Sequence, residues 1–112
     1  LPISGASLVF SLQLKNENSF PLHPKGLDYA VKLAGEEMME GTVREIGQIT
    51  DHGATRLQIP LNLDFLKLSR PVLSAVRGSA ADYEITGHLN FDVAGRWDQS
   101  VPFQKVGVVN FR

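Results

Sequence analysis

The chain contains no cysteine in 112 residues, which excludes a disulfide frame, a CxxC redox pair and any thiolate metal site. It has no apolar run near the ~20 residues that a membrane-spanning helix needs. It has no excess of charge of one sign either: 11 basic residues stand against 12 acidic ones, for a net charge of −1. No run of Lys or Arg could neutralise a row of phosphates, so nucleic acid is not expected as a partner. Also missing are a GxSxG elbow, an HExxH pair and a Gly-rich phosphate loop, and with them the usual frames for nucleophilic, zinc-dependent and nucleotide chemistry. We expect no catalytic residue, no cofactor and no metal.

What is present is an ordinary globular composition, 43% hydrophobic and 21% charged, far from the polar balance that keeps a chain disordered. A chain of this size buries roughly two-thirds of the surface it exposes when unfolded, so residues 1–112 are expected to form one domain. The sequence opens Leu1-Pro2-Ile3-Ser4-Gly5 without Met, which suggests a processed or trimmed product whose targeting segment is missing.

The apolar residues recur mostly with a period of two. Leu8, Phe10, Leu12 and Leu14 alternate with Ser7, Val9, Ser11 and Gln13, the pattern of a half-buried strand. Leu27, Tyr29, Val31 and Leu33 repeat it, and Ala34-Gly35-Glu36-Glu37 reads as a tight turn into a strand over 38–43, making a hairpin. Residues 46–51 read as an irregular or short strand. His52-Gly53 turns the chain into 54–63, where Leu57, Ile59, Leu61 and Leu63 share a face and Pro60 hints at an edge or a bulge.

Between 65 and 77 the spacing changes to three and four (Phe65, Leu68, Val72, Val76). This predicts a helix that starts near Ser69 to Pro71 and stops at Gly78, preceded by a loose turn over 65–68. Pro71 biases Arg70 away from the α region. The cleanest strand follows, with Tyr83, Ile85, Gly87, Leu89, Phe91 and Val93 on one face and Asp82, Glu84, Thr86, His88, Asn90 and Asp92 on the other. Ala94-Gly95-Arg96 turns, 97–103 forms a short strand broken by Pro102, and 106–111 closes the chain. The expectation is all-β: an antiparallel sandwich of about seven strands with one short helix.

Few residues invite a chemical reading. Glu84, His88 and Asp92 share a strand face, but positions four apart lie ~13 Å from each other, whereas one metal ion needs donors at about 2.0–2.2 Å. They read as a solvated strand face. His23 and His52 fall in turn regions, at the surface. Asn16 and Asn18 could bind a ligand through their amides, but the stronger reading is structural, because both can satisfy backbone groups that a strand corner leaves unpaired. Trp97 is either an exposed aromatic on a partner surface or a cap on one end of the core.

Several short motifs together resemble the LEA14-like, or WHy (water stress and hypersensitive response), domain family of type 2 late-embryogenesis-abundant proteins. The run from Phe10 through Asn16-Glu17-Asn18, then Phe20-Pro21-Leu22, then Gly26-Leu27-Asp28-Tyr29 looks like that family's opening strand, Asn corner and second strand. The likeness continues through Gly41, the Ile59-to-Asp64 run that leads into a Leu-rich helix, Tyr83-Glu84-Ile85-Thr86-Gly87, and a closing strand at Gly107. Two positions depart from the pattern: Glu17 stands where the family usually has Pro, and Pro71 interrupts the expected helix. A further family strand normally precedes Phe10, and only Leu1 to Gly5 remain of that region.

The resemblance implies a fibronectin type III-like sandwich in which Asn16, Asn18, Phe20, Pro21, Gly26, Tyr29, Gly41, Tyr83 and Gly87 are structural motif positions. It implies a non-enzymatic role in desiccation or freezing tolerance, through contacts with client proteins or a membrane surface. It favours an exported, periplasmic or lipid-anchored bacterial location over a cytoplasmic one. The alternative is an adhesion or scaffold module that holds a specific protein partner.

Overall fold

The computed structural model describes residues 4–93 and 97–111, leaving the side chains of 93 and 97 outside that description. Two antiparallel sheets face each other. One pairs β1 (Gly5–Lys15) with β4 (Ala54–Asp64); the other has the order β3-β2-β5-β6, built from β2 (His23–Leu33), β3 (Glu36–Val43), β5 (Ala80–Val93) and β6 (Trp97–Asn110). A 3₁₀ turn (Phe65–Lys67) and one helix, α1 (Arg70–Arg77), connect β4 to β5.

The core lies where the alternation places it. Phe10 and Leu12 of β1 and Leu57, Ile59, Leu61 and Leu63 of β4 turn inward against Leu27, Val31 and Leu33 of β2 and Ile85 of β5. Each fully buried aliphatic side chain of this kind contributes roughly 1.5–3 kcal/mol. The Phe10 ring meets the Tyr83 ring across the gap, with centroids 5.0 Å apart and planes at 49°, so an aromatic pair ties one sheet to the other.

Six strands form among the described residues, not about seven. Residues 46–51 contribute only an isolated bridge, Leu22 to Ile49. The two strands expected over 97–103 and 106–111 are one continuous strand, Pro102 included, that pairs with β5 from Trp97 to Asn110. Proline is accommodated because β6 is an edge strand, where a residue without an N–H can sit with the missing donor directed away from the ladder. Pro60 survives in β4 for the same reason, opposite Val9 in a two-stranded sheet.

The turn between β2 and β3 is shorter than expected. Ala34 and Gly35 alone form it, with φ of 51° and 80°, the paired left-handed geometry that suits the twist of a two-residue hairpin; Glu36 and Glu37 already belong to β3. The helix matches its sequence signals. Ser69 caps it through its hydroxyl, which accepts from the Val72 N–H, and Gly78 closes it. Arg70 is already helical and Pro71 occupies the first turn, where a missing N–H costs nothing. Val72 and Val76 are buried and seal one end of the sandwich against β5.

Candidate functional site

The asparagine corner is a closed network. Asn16 is fully buried, and its carboxamide nitrogen donates to the carbonyls of Phe20 at 2.9 Å, Ile49 at 3.2 Å and Thr50 at 3.0 Å. Its oxygen accepts from the backbone and side-chain nitrogens of Asn18, both at 3.0 Å. The Asn16 N–H donates to the Gly53 carbonyl, and the Asn18 carbonyl accepts from His52 N–H. These bonds stitch the end of β1 to the loop that leads into β4. They do so without a proline at Glu17, and they leave no donor of Asn16 for a ligand. Phe20 and Pro21 are exposed on this corner, while Leu22 is buried.

The motif glycines make room for their neighbours. A Cβ on Gly41 would strike the Tyr29 ring, and one on Gly107 would strike the ring of Tyr83. Each tyrosine lies across a glycine of the adjacent strand. Gly87 sits between Tyr29 and Phe103 in the ladder, and a side chain there would overlap the Asp28 carbonyl oxygen and approach the Phe103 ring. Gly26 follows a bulge in β2 in which Lys25 has no partner in the register. That extra residue re-aims its side chain: Lys25 Nζ lies 2.6 Å from an Asp98 oxygen and 3.1 Å from an Asp92 oxygen. Hydrogen bonding to Lys25 holds the Asp98 carboxyl below the usual aspartate range, and the same two carboxylates raise the Lys25 ammonium.

The outer face of the four-stranded sheet is polar, with side chains paired across strands. Asp28 accepts from Thr42 at 2.8 Å and from Asn90 at 3.0 Å, and Glu84 accepts from Gln104 at 2.8 Å. Glu84, His88 and Asp92 therefore engage separate surroundings, and among the described residues no three His, Asp or Glu side chains converge as metal ligands. His23 and His52 are exposed, the latter in a turn with φ of 55°. Trp97 opens β6 opposite Val93; its side chain, and the turn expected at 94–96, lie outside the described residues.

Two surfaces depart from this polar pattern, and sequence reasoning singled out neither. The first is β6, whose outer edge pairs with no strand among the described residues and which exposes Val101, Val106 and Val108. Lys105 of this strand reaches back to the first sheet and donates to the Ser11 carbonyl at 2.8 Å. The second is an apolar cleft of about 920 Å³ at the helix end, lined by Ala6, Phe65, Leu68, Leu73, Val76 and Phe111, with Arg77 beside them.

The model of the family described as "Late embryogenesis abundant protein" (LEA_2) matches residues 11–107, from the middle of β1 to the Gly107 that receives Tyr83. The chain belongs to this family. Members are generally not enzymes, and membership supports a stress-related role of the late-embryogenesis type. No curated protein sequence matches the chain.

Solved structures share the fold. A solution structure of AT1g01470 from Arabidopsis thaliana superposes with a TM-score of 0.74 at 18% identity, over 96% of this chain and 71% of that one. A crystal structure of a protein from Archaeoglobus fulgidus gives 0.62 at 17% identity, over 100% and 90%. The solution structure of a provisionally named late embryogenesis abundant (LEA) protein, At2g46140.1, gives 0.64 at 20% identity, over 96% and 62%.

Proposed function

We propose that residues 1–112 act as one LEA14-like, WHy-type unit. It protects other macromolecules or membranes during desiccation or freezing through surface contact and hydration, without turnover. The observation that carries this reading is the outer face of the four-stranded sheet. There, Asp28, Thr42, Asn90, Glu84 and Gln104 hold one another in cross-strand hydrogen bonds and remain a hydrated, ordered polar surface as bulk water is withdrawn. An exported or lipid-anchored location suits such a role, and the sandwich is of a fibronectin type III-like kind.

The test is a labile enzyme dried or freeze-thawed with the domain or with an equal mass of an unrelated β-sandwich of similar charge. The domain should preserve more activity, and His88→Ala should preserve as much as the unaltered chain. Equal protection by the control protein would leave the effect as generic crowding and refute the reading.

A second reading, an adhesion or scaffold module, draws support from β6. A 14-residue edge strand with exposed Val101, Val106 and Val108 is a template on which a partner could add a strand. Under that reading Val106→Lys with Val108→Lys abolishes function, whereas under the protective reading the pair of substitutions leaves it intact.

A further inference from the structure

The cleft at the helix end combines two features that the protective reading does not use. It is concave and apolar: Phe65, Leu68, Leu73, Val76 and Phe111 line it, and Leu66 stands at its border 89% exposed. Folding normally removes such surface from water, and a volume of about 920 Å³ lies within the range of ~300–1,000 Å³ typical of small-molecule sites.

Its rim is basic. Residues 65–79 contain Lys67, Arg70 and Arg77 and no acidic residue, in a chain with 12 acids. Arg77 lines the cleft itself. One acid, Asp64, precedes Phe65 at the cleft's border, where it accepts from the Leu66 N–H at 3.1 Å, and Glu36 accepts from the Ser69 hydroxyl at 2.7 Å.

An apolar wall with a guanidinium at its edge is complementary to one chemical class. We propose that the cleft binds a single-chain amphiphile with an anionic head group, the tail against Leu68, Leu73, Val76 and Phe111 and the carboxylate or phosphate at Arg77. Arg is suited to this because its planar fork meets either oxyanion with two parallel N–H bonds. The concavity favours one enclosed chain over a bilayer surface, which would meet a convex apolar face. This inference stands apart from the protective role, since the cleft and the polar sheet face share no residue.

The experiment titrates the chain with dodecanoate, dodecyl phosphate and the neutral dodecyl maltoside, each below its critical micelle concentration, followed by methyl and amide NMR shifts and by calorimetry. The expected result is saturable one-to-one binding that shifts Leu66, Leu68, Leu73 and Val76, with both anionic probes bound about tenfold or more tightly than the neutral one. The tighter of the two anions identifies the head group. Removing one methylene should weaken binding about fourfold.

Arg77→Gln should bring the anionic probes to within about twofold of the neutral one, and Leu66→Ser, at an exposed site that folding does not need, should weaken all three. Three outcomes overturn the proposal: no saturable shift from either anionic probe up to its critical micelle concentration, an anionic preference that survives Arg77→Gln, or binding to phosphatidylglycerol-containing vesicles with no response to monomeric probes. Contacts from residues 1–3 to Leu73 in the NOE spectrum, with no response to any amphiphile, would overturn it as well. Protection in the drying assay is unaffected by Arg77→Gln, so failure of the cleft and failure of the protective reading are separate results.

Discussion

Replacing Asn16 by Ala removes one small side chain and unties three stretches of backbone. Its carboxamide serves the carbonyls of Phe20, Ile49 and Thr50 and holds Asn18 at both nitrogens. The bond to Ile49 is buried, but the Leu22 N–H still donates to that carbonyl at 2.9 Å, so it is not stranded, and each bond lost costs about 0.5–1 kcal/mol. Because one amide with two hydrogens serves three acceptors, the sum is not additive, and about 3 kcal/mol is the expected loss.

For 112 residues the unfolding entropy near the midpoint is about 0.24 kcal/mol per degree, so the midpoint falls by ~12 °C. Thermal unfolding followed by far-ultraviolet circular dichroism at pH 7 measures it. Asn18→Ala, which loses a single part-buried side-chain bond, should cost ~2 °C. Asn16→Asp adds a sign test. The introduced carboxyl faces three carbonyls, its folded pKa is raised, and stability should recover as pH falls through that raised value. A fall under 3 °C for Asn16→Ala, or no recovery at low pH for Asn16→Asp, would refute the network as the anchor of the corner.

Gly87→Val should destabilise by more than about 3 kcal/mol, because the obstacle is the Asp28 backbone carbonyl, which cannot move aside as a flexible side chain would; an unchanged urea midpoint contradicts this. Gly107→Ala should displace the Tyr83 ring and loosen its contact with Phe10, seen as a changed Tyr83 ring-current shift on Phe10 together with ~1–2 kcal/mol of lost stability. The Asp98 carboxyl, held low by its bond from Lys25, should titrate below ordinary aspartates in carbon-13 NMR and return to their range in Lys25→Met. Its stabilising contribution is complete above the unfolded aspartate pKa and is lost as pH falls through the lower folded value. Salt should weaken it, since both groups are exposed.

The strands that alternate strictly were legible, because burial of one face enforces a period of two: β1, β4 and β5 lie where Phe10, Ile59 and Ile85 put them. The helix was legible from its two punctuation residues, Ser69 and Gly78. The strand count was not, because Pro102 looks like a breaker in sequence, and only the topology reveals that it lies on an edge where no donor is missed. The structural role of Asn16 could be argued from its chemistry, but its partners at Ile49 and Thr50 are more than 30 residues away and no local pattern names them. The cleft was invisible for a similar reason. Phe65 and Leu73 look like ordinary core residues until Phe111, from the far end of the chain, is brought beside them. The one signal in the sequence was residues 65–79, which carry Lys67, Arg70 and Arg77 and no acid.

The pairing of β1 with β4 joins residues as far apart as Gly5 and Asp64, and its closest pair, Lys15 with Ala54, is still 39 positions apart. The hairpins β2-β3 and β5-β6 close over a few residues. Loop-closure entropy therefore favours the two hairpins first; joining them through β2 and β5, whose paired residues Leu33 and Tyr83, or His23 and Asp92, are just as distant in sequence, is a later step on a par with pairing β1 to β4. Opening is easier for the two-stranded layer, because each of its strands is held along one edge only among the described residues. Amides of β1 and β4 should exchange with solvent at a lower free energy than those of β2 and β5, and partial unfolding under stress would begin by lifting this layer and baring the inner faces of Leu27, Val31 and Ile85. The bond from Lys105 to the Ser11 carbonyl then acts as a latch between the layers, setting how readily the chain lets its own core breathe.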